Sequence, residues 1–309
     1  MHGRTRARRS SASRRPRSSG VALPASEDSS GVLARLRNAG LLPRKALGQH
    51  FLHDPKLLAA LADESGVGRE DQVLEIGTGP GTLTRELARR AARVLTVEVD
   101  RRLLDFARTE LRAFPNVLFH EGDVLEGRRR CLSSQLTGRL EDFEPFVWVS
   151  NLPYNVAATL IVLFLESPLG WTRASLLVQE EVAERIAARP GDDAYGPTSA
   201  LVAFWGTARA GRKVPAGAFW PPPKVTSRVL RVERGAPLAP PAVYAGYRAW
   251  VRRLFSGRRK QVGRILRGIL GREGEQALEA WGWDPTRRPA TLSPREFLRL
   301  AQEFPAAGG

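Results

Sequence analysis

From residue 54 onward, short apolar runs alternate with longer stretches whose apolar positions recur at helical spacing. The runs Val73-Leu74-Glu75-Ile76, Val94-Leu95-Thr96-Val97, Val117-Leu118-Phe119, Phe146 to Val149 and Ser175-Leu176-Leu177-Val178 predict five strands. The amphipathic stretches 82–91, 101–112, 156–166 and 180–189 predict helices between them. Asp54-Pro55 supplies the N-cap and first-turn chemistry of an earlier helix, with Leu57, Leu58 and Leu61 as its apolar stripe. Strands alternating with helices predict an α/β fold with a mostly parallel sheet covered on both faces.

Residues 244–270 read as helical, with Trp250, Val251, Leu254, Phe255, Val262, Ile265, Leu266 and Ile269 apolar and Gly257 interrupting the run. Segments 275–282 and 293–303 complete a small C-terminal all-helical domain. A chain of 309 residues has room for one large domain and a smaller one. The expected organisation is a basic tail over 1–31, a catalytic domain over 32–236 and a helical domain over 237–309.

Charge sharpens this division. The net charge is +16; residues 1–20 carry +7 and residues 219–309 carry +10, so the body between them sits at −1. A near-neutral body with basic ends suits a catalytic domain flanked by devices for holding a polyanion, although basic side chains also serve simply to solvate a surface. The first residues are Ser-, Arg- and Gly-rich with almost nothing to bury, so the tail is expected to be disordered. No run approaches 18 apolar residues and no hydrophobic core follows the N-terminal arginines, which predicts a soluble, cytoplasmic protein with no membrane partner. The single Cys131 excludes an internal disulfide and a cysteine-built metal site, and His50 and His53 lack an accompanying metal-ligand pattern, so no metal is expected.

In such a sheet, ligands sit beyond the carboxyl ends of the strands. The first strand runs into Gly77-Thr78-Gly79-Pro80-Gly81, where glycines let a ligand lie against bare main chain. The spacing differs from the dinucleotide fingerprint, and no phosphate-loop Lys-Ser/Thr follows. A structural turn remains the plain reading of these glycines on their own. The second strand ends in Glu98-Val99-Asp100, placing an acid where it can accept from a ribose diol; the third ends in Glu121-Gly122-Asp123, where Asp123 can accept from an adenine amino group.

The fourth strand delivers Asn151-Leu152-Pro153-Tyr154. An asparagine oxygen and a carbonyl beside a proline can accept hydrogens from an exocyclic amine while a tyrosine ring stacks on the base. Asn and Pro are also ordinary turn residues. Four strand ends in this order nevertheless describe a site for an adenosine-bearing cofactor beside a pocket for a planar amine.

These residues resemble the class I S-adenosylmethionine-dependent methyltransferases, whose fold is Rossmann-like. Within them the chain is similar to the KsgA-type small-subunit rRNA adenine dimethyltransferases and the related erythromycin-resistance rRNA methyltransferases. The resemblance rests on Leu47-Gly48-Gln49-His50-Phe51-Leu52, Glu75 to Gly81, Val97-Glu98, Gly122-Asp123, Asn151 to Asn155, Val178-Gln179-Glu180 with Ala183 and Arg185, Tyr195-Gly196, and Phe219 with Pro221 to Ser227. Asn155, Pro223-Lys224-Val225 with Ser227, and Leu254-Phe255-Ser256 with Arg258-Arg259-Lys260 favour the small-subunit branch.

The resemblance implies transfer of methyl groups from S-adenosylmethionine to N6 of two neighbouring adenosines near the 3′ end of 16S rRNA, by a monomer acting on the 30S particle. It implies His50, Leu52, Gly77, Gly79, Glu98, Asp123 and Asn151 as cofactor residues, and Asn151, Leu152, Pro153 and Tyr154 as the clamp on the target base. His50 stands where the family usually has Asn and retains one hydrogen-bond donor for a ligand. Pro197 replaces a common arginine, and the segment 124–145, with Arg128 to Arg130 and Cys131, reads as a surface insertion. Lys224 is a candidate RNA contact, as are Arg252, Arg253, Arg258, Arg259, Lys260 and Arg264, which with Arg267 make seven cations within residues 252–267. Three alternatives stay open: a large-subunit rRNA methyltransferase of the resistance type, a non-catalytic RNA-binding assembly factor on the same fold, and, remotely, a nicotinamide-dependent dehydrogenase.

Overall fold

A computed structural model describes residues 29–127 and 131–305. The basic tail up to residue 28 and Arg128 to Arg130 lie outside the described residues. Seven strands form the main sheet: β1 (Gln72–Ile76), β2 (Arg93–Glu98), β3 (Val117–Glu121), β4 (Phe146–Asn151), β5 (Trp171–Gln179), β6 (Gly206–Val214) and β7 (Ser227–Arg234). Their spatial order is β3-β2-β1-β4-β5-β7-β6. The first five are parallel, and β7 lies antiparallel between β5 and β6.

Register explains the two hydrophobic layers. Val73 aligns with Val94 and Val147, and these three point to one face; Leu74 aligns with Leu95 and Trp148, which point to the other. Helices Pro55–Glu64 and Thr82–Ala88 cover the valine face. Helices Ser134–Glu141, Ala157–Glu166 and Pro197–Trp205 cover the other. The chain steps outward from β1 to β3 and then returns through β4, so β1 and β4 flank the point where the order reverses. That is where an open α/β sheet leaves a crevice.

Four features depart from the sequence expectation. Helix Ser29–Asn38, for which no element was predicted, begins three residues before the expected domain start at 32 and buries Val32 and Leu36 completely. Segment 124–145 is more than a surface insertion: its helix Ser134–Glu141 drives Leu136 and Leu140, and the turn after it Phe143, into the core against the sheet. Helix Pro197–Trp205 and the β6–β7 hairpin were not foreseen; the helix is apolar almost all round, and β6 alternates small residues with exposed cations, so neither shows a clean period. Pro197 occupies the first turn of its helix, where its fixed φ and missing N–H fit.

Helices Tyr244–Ser256, Val262–Leu270, Arg272–Trp281 and Pro294–Glu303 form the C-terminal region, and the first ends at Gly257. Their core continues that of the sheet. Tyr247 is fully buried and donates to the Ala200 carbonyl at 2.7 Å, while Phe204 packs against the rings of Tyr244 and Tyr247 at 4.9 Å each. Among the described residues no helix is long and apolar enough to cross a membrane.

Candidate active site

A cleft of about 760 Å³, counting its open mouth, lies at the carboxyl ends of β1, β2 and β4. Its floor is the glycine turn after β1. Gly77 donates its amide to the Val97 carbonyl at 2.8 Å and has φ +90°, a conformation that disfavours side chains. A Cβ on Gly79, at φ +54°, would stand 3.2 Å from the Phe51 ring. The chain therefore presents bare backbone beneath an aromatic cover.

Glu98 fixes that floor to the next strand. One carboxylate oxygen accepts the Gly79 amide at 2.9 Å and the other the Asp100 amide at 3.0 Å. Each oxygen retains a second lone pair for a ligand. Burial pushes the Glu98 carboxyl above its ordinary pKa, opposed by these backbone donors. Beneath the loop, Glu75 is 1% exposed and accepts hydroxyls from Thr84 at 2.6 Å and Thr96 at 2.7 Å. Burial raises its carboxyl to about 8. At the third strand end, one oxygen of Asp123 accepts the Leu125 amide at 2.9 Å, a short local turn that leaves its other oxygen to the cleft.

The opposite wall is Asn151 to Tyr154. Asn151 Nδ2 donates to the His50 carbonyl at 3.0 Å, which orients the amide and leaves Oδ1 as its acceptor. Leu152 donates its amide to Leu177, and its side chain is buried in the core. The Tyr154 hydroxyl shares a 2.5 Å hydrogen bond with Ser227, and its ring stacks on His50 with centroids 5.5 Å apart and planes 21° apart. Behind the wall, Ser150 Oγ accepts from Ile76 N and Trp148 Nε1, tying β4 to β1.

His50, Gly77, Gly79, Glu98, Asp123 and Asn151 to Tyr154 all line this cleft. Leu52 lies behind it: paired with Phe219 and 2% exposed, it packs into the valine-face core while its carbonyl accepts from the Thr82 hydroxyl. The donor expected of His50 is not free for a ligand. Nδ1 donates to the Pro221 carbonyl at 2.7 Å, so a neutral ring offers the cleft only the acceptor Nε2. Phe51, Gln49 and Ser227 were not foreseen as parts of the site, although all three fall in the motifs that carry the resemblance. The amide nitrogen of Gln49 is buried without a partner among the described residues, while its oxygen accepts from Arg44.

The candidate RNA-binding side chains Lys224, Arg252, Arg253, Arg258, Arg259, Lys260 and Arg264 are all exposed. Six of them sit in or between the first two C-terminal helices. Lys224 sits instead on the segment 221–227, held to the cleft at one end by His50 and at the other by Tyr154. Arg267, counted among the cations by sequence, pairs with Glu275.

Comparisons with known proteins agree with this geometry. The model of the ribosomal RNA adenine dimethylase family matches residues 41–305. The chain is 36% identical to the ribosomal RNA small subunit methyltransferase A of Shouchella clausii, over 87% of this chain and 92% of that one. It is 40% identical to the protein of the same name from Acidothermus cellulolyticus, over 87% of this chain and 91% of that one. Among solved structures it resembles the 23S rRNA methyltransferase ErmE, with 29% identity, a TM-score of 0.64, and coverage of 82% of this chain and 99% of that one.

Proposed function

The chain belongs to the ribosomal RNA adenine dimethylase family, and from that premise we propose how its cleft works. It is an S-adenosylmethionine-dependent rRNA methyltransferase of the small-subunit type. Its substrate, in this reading, is N6 of two adjacent adenosines near the 3′ end of 16S rRNA, each taken to N6,N6-dimethyladenosine on the 30S particle by a cytoplasmic monomer.

The observation that carries the reading is the fixed Asn151 amide beside Tyr154, facing the Glu98 and glycine cradle across one cleft. The cradle fits the cofactor: Glu98 would accept from its ribose, Asp123 from its adenine amino group, and the Gly77–Gly79 backbone would face its methionine part. When bound, S-adenosylmethionine supplies a sulfonium methyl that is already a strong electrophile. The adenine amine is a poor nucleophile because its lone pair is delocalised into the ring. Asn151 Oδ1 and the Leu152 carbonyl would therefore hold its two hydrogens in the first transfer, and one of them the hydrogen that remains in the second, biasing N6 toward sp3 geometry while Tyr154 stacks on the base. Alignment of this kind is worth up to roughly 7–11 kcal/mol, so no dedicated base is required, and the N6 proton would pass to water after each methyl group has transferred.

The helical region from residue 237, with its exposed cations, would grip the RNA backbone and shape, with the target base extruded into the cleft. Two relatives at 36% and 40% identity carry the small-subunit name while the large-subunit enzyme ErmE stands at 29%, which disfavours the resistance-type alternative. The assembled acceptors Glu98, Asp123 and Asn151 count against a non-catalytic factor. Mass spectrometry of both ribosomal RNAs with and without the gene tests the reading. Loss of dimethyladenosine from the small-subunit RNA alone supports it, and unchanged small-subunit RNA overturns it.

A further inference from the structure

The chain from Gly48 to Phe51 forms a partition between the two halves of the cleft. At one end, a Cβ on Gly48 would meet Asn155 Oδ1 at 3.4 Å and Tyr154 N at 3.8 Å, so this end abuts the target-base motif. At the other, Phe51 covers Gly79 in the cofactor cradle. His50 stands between them, and the hydrogen bond and the stacking of its ring both lie on the target side. Nδ1 is held by the Pro221 carbonyl, and the ring lies against Tyr154 in a nearly parallel, offset stack. Its main-chain carbonyl receives the Asn151 amide.

We propose that the His50 imidazole is a positioning residue of the target-base clamp rather than a ligand of the cofactor. This deepens the proposed function and rests on it. The ring backs one face of Tyr154, leaving the opposite face for the extruded adenine. The Pro221 hydrogen bond fixes the plane of the imidazole, and the Ser227 hydrogen bond fixes the far end of Tyr154, so the segment 221–227 braces both rings. Without the imidazole, Tyr154 keeps one anchor and gains freedom to tilt. The base would then sit off the methyl-transfer line, which costs rate rather than cofactor affinity.

The test measures single-turnover methylation of 30S particles lacking the modification, alongside cofactor binding by calorimetry, for wild type, His50→Ala and His50→Phe. The expected result for His50→Ala is a rate about 10- to 100-fold lower at saturating cofactor, the scale of loss from a small misplacement, with cofactor Kd within about threefold of wild type by the same reasoning. His50→Phe keeps a ring against Tyr154 and should recover part of the rate, which also answers any loss of folding in the alanine variant. If cofactor Kd weakens as much as the rate falls, or if neither variant changes the rate, the assignment is overturned. Wild-type protein that binds cofactor but leaves both ribosomal particles unmethylated would instead overturn the function on which it rests.

Discussion

The Asn151 side-chain amide donates to the His50 carbonyl at 3.0 Å, joining residues 101 positions apart in the chain. The bond occupies Nδ2 and leaves Oδ1 as the side-chain atom that Asn151 can offer to the cleft. Asn151→Ala removes the acceptor, and Asn151→Asp keeps an acceptor but loses the donor that orients it. Both should lower the methyl-transfer rate about 100-fold, the scale of lost alignment. Single-turnover assays at saturating cofactor check this; a near-normal rate in Asn151→Ala would remove the clamp from the mechanism.

Glu98, proposed to hold the cofactor ribose, also serves the fold, because its carboxylate receives the Gly79 and Asp100 amides. Hydrogen bonds to a charged group are worth roughly 1.5–3 kcal/mol, so Glu98→Ala should weaken cofactor binding about 10- to 100-fold. Calorimetric titration with S-adenosylhomocysteine measures it. The rate at saturating cofactor should change far less than the affinity.

Glu75 makes stability depend on pH. Burial raises its carboxyl from an ordinary value of 4.5 to about 8, so across that window the folded chain holds a proton that the unfolded chain has released. Stability contributed by this group is complete below the unfolded value and falls as pH rises through the folded one. Relative to Glu75→Gln, the wild-type protein should lose a few kcal/mol between about pH 5 and about pH 9. Urea unfolding of both proteins across that range checks the sign, and a constant difference would contradict it.

Glu110 joins helix Ser29–Asn38 to the body. It accepts two hydrogen bonds from Arg35, at 2.8 and 2.6 Å, and one from the nearly buried Arg85 at 3.3 Å. The Arg35 guanidinium holds the Glu110 carboxyl below its usual range, so this stabilisation is present at neutral pH and is lost as acid protonates the group. Glu110→Ala leaves Arg85 buried without its counter-charge and should cost roughly 3 kcal/mol. Arg35→Ala removes a side chain 42% exposed and should cost about 1 kcal/mol or less. Denaturation midpoints separate the two.

The exposed cations Arg258, Arg259 and Lys260 are predicted to act on RNA affinity through phosphate charge. Replacing all three with Ala should weaken particle binding and reduce the slope of log affinity against log salt by about 0.7–0.9 for each phosphate that is no longer neutralised. Filter binding over a salt series reads the slope. An unchanged slope would move the RNA interface elsewhere.

The parallel half of the sheet was legible because each strand is an apolar run ended by glycine or a polar residue, and chemistry in such sheets gathers at strand ends. That same regularity placed Gly77, Glu98, Asp123 and Asn151 around one cleft. What sequence could not show were relationships across distance. His50 reads as a spare donor until the carbonyl of Pro221, 171 residues away, accepts its Nδ1 hydrogen bond. Leu52, a cofactor residue by resemblance, has its side chain turned into the core by the pairing with Phe219. The helix in 134–141 was hidden because its few apolar residues, Leu136 and Leu140, sit in a polar stretch and find their partners only on the sheet.

Transfer of a labelled methyl group from S-adenosylmethionine to purified, unmodified 30S and 50S particles, followed by nucleoside mass spectrometry, separates small-subunit dimethylation from its alternatives. The predicted result is label in N6,N6-dimethyladenosine of the 30S RNA, abolished by Asn151→Ala, with none in the 50S RNA. Label confined to the 50S RNA, or none in either particle from protein that binds cofactor, would contradict it.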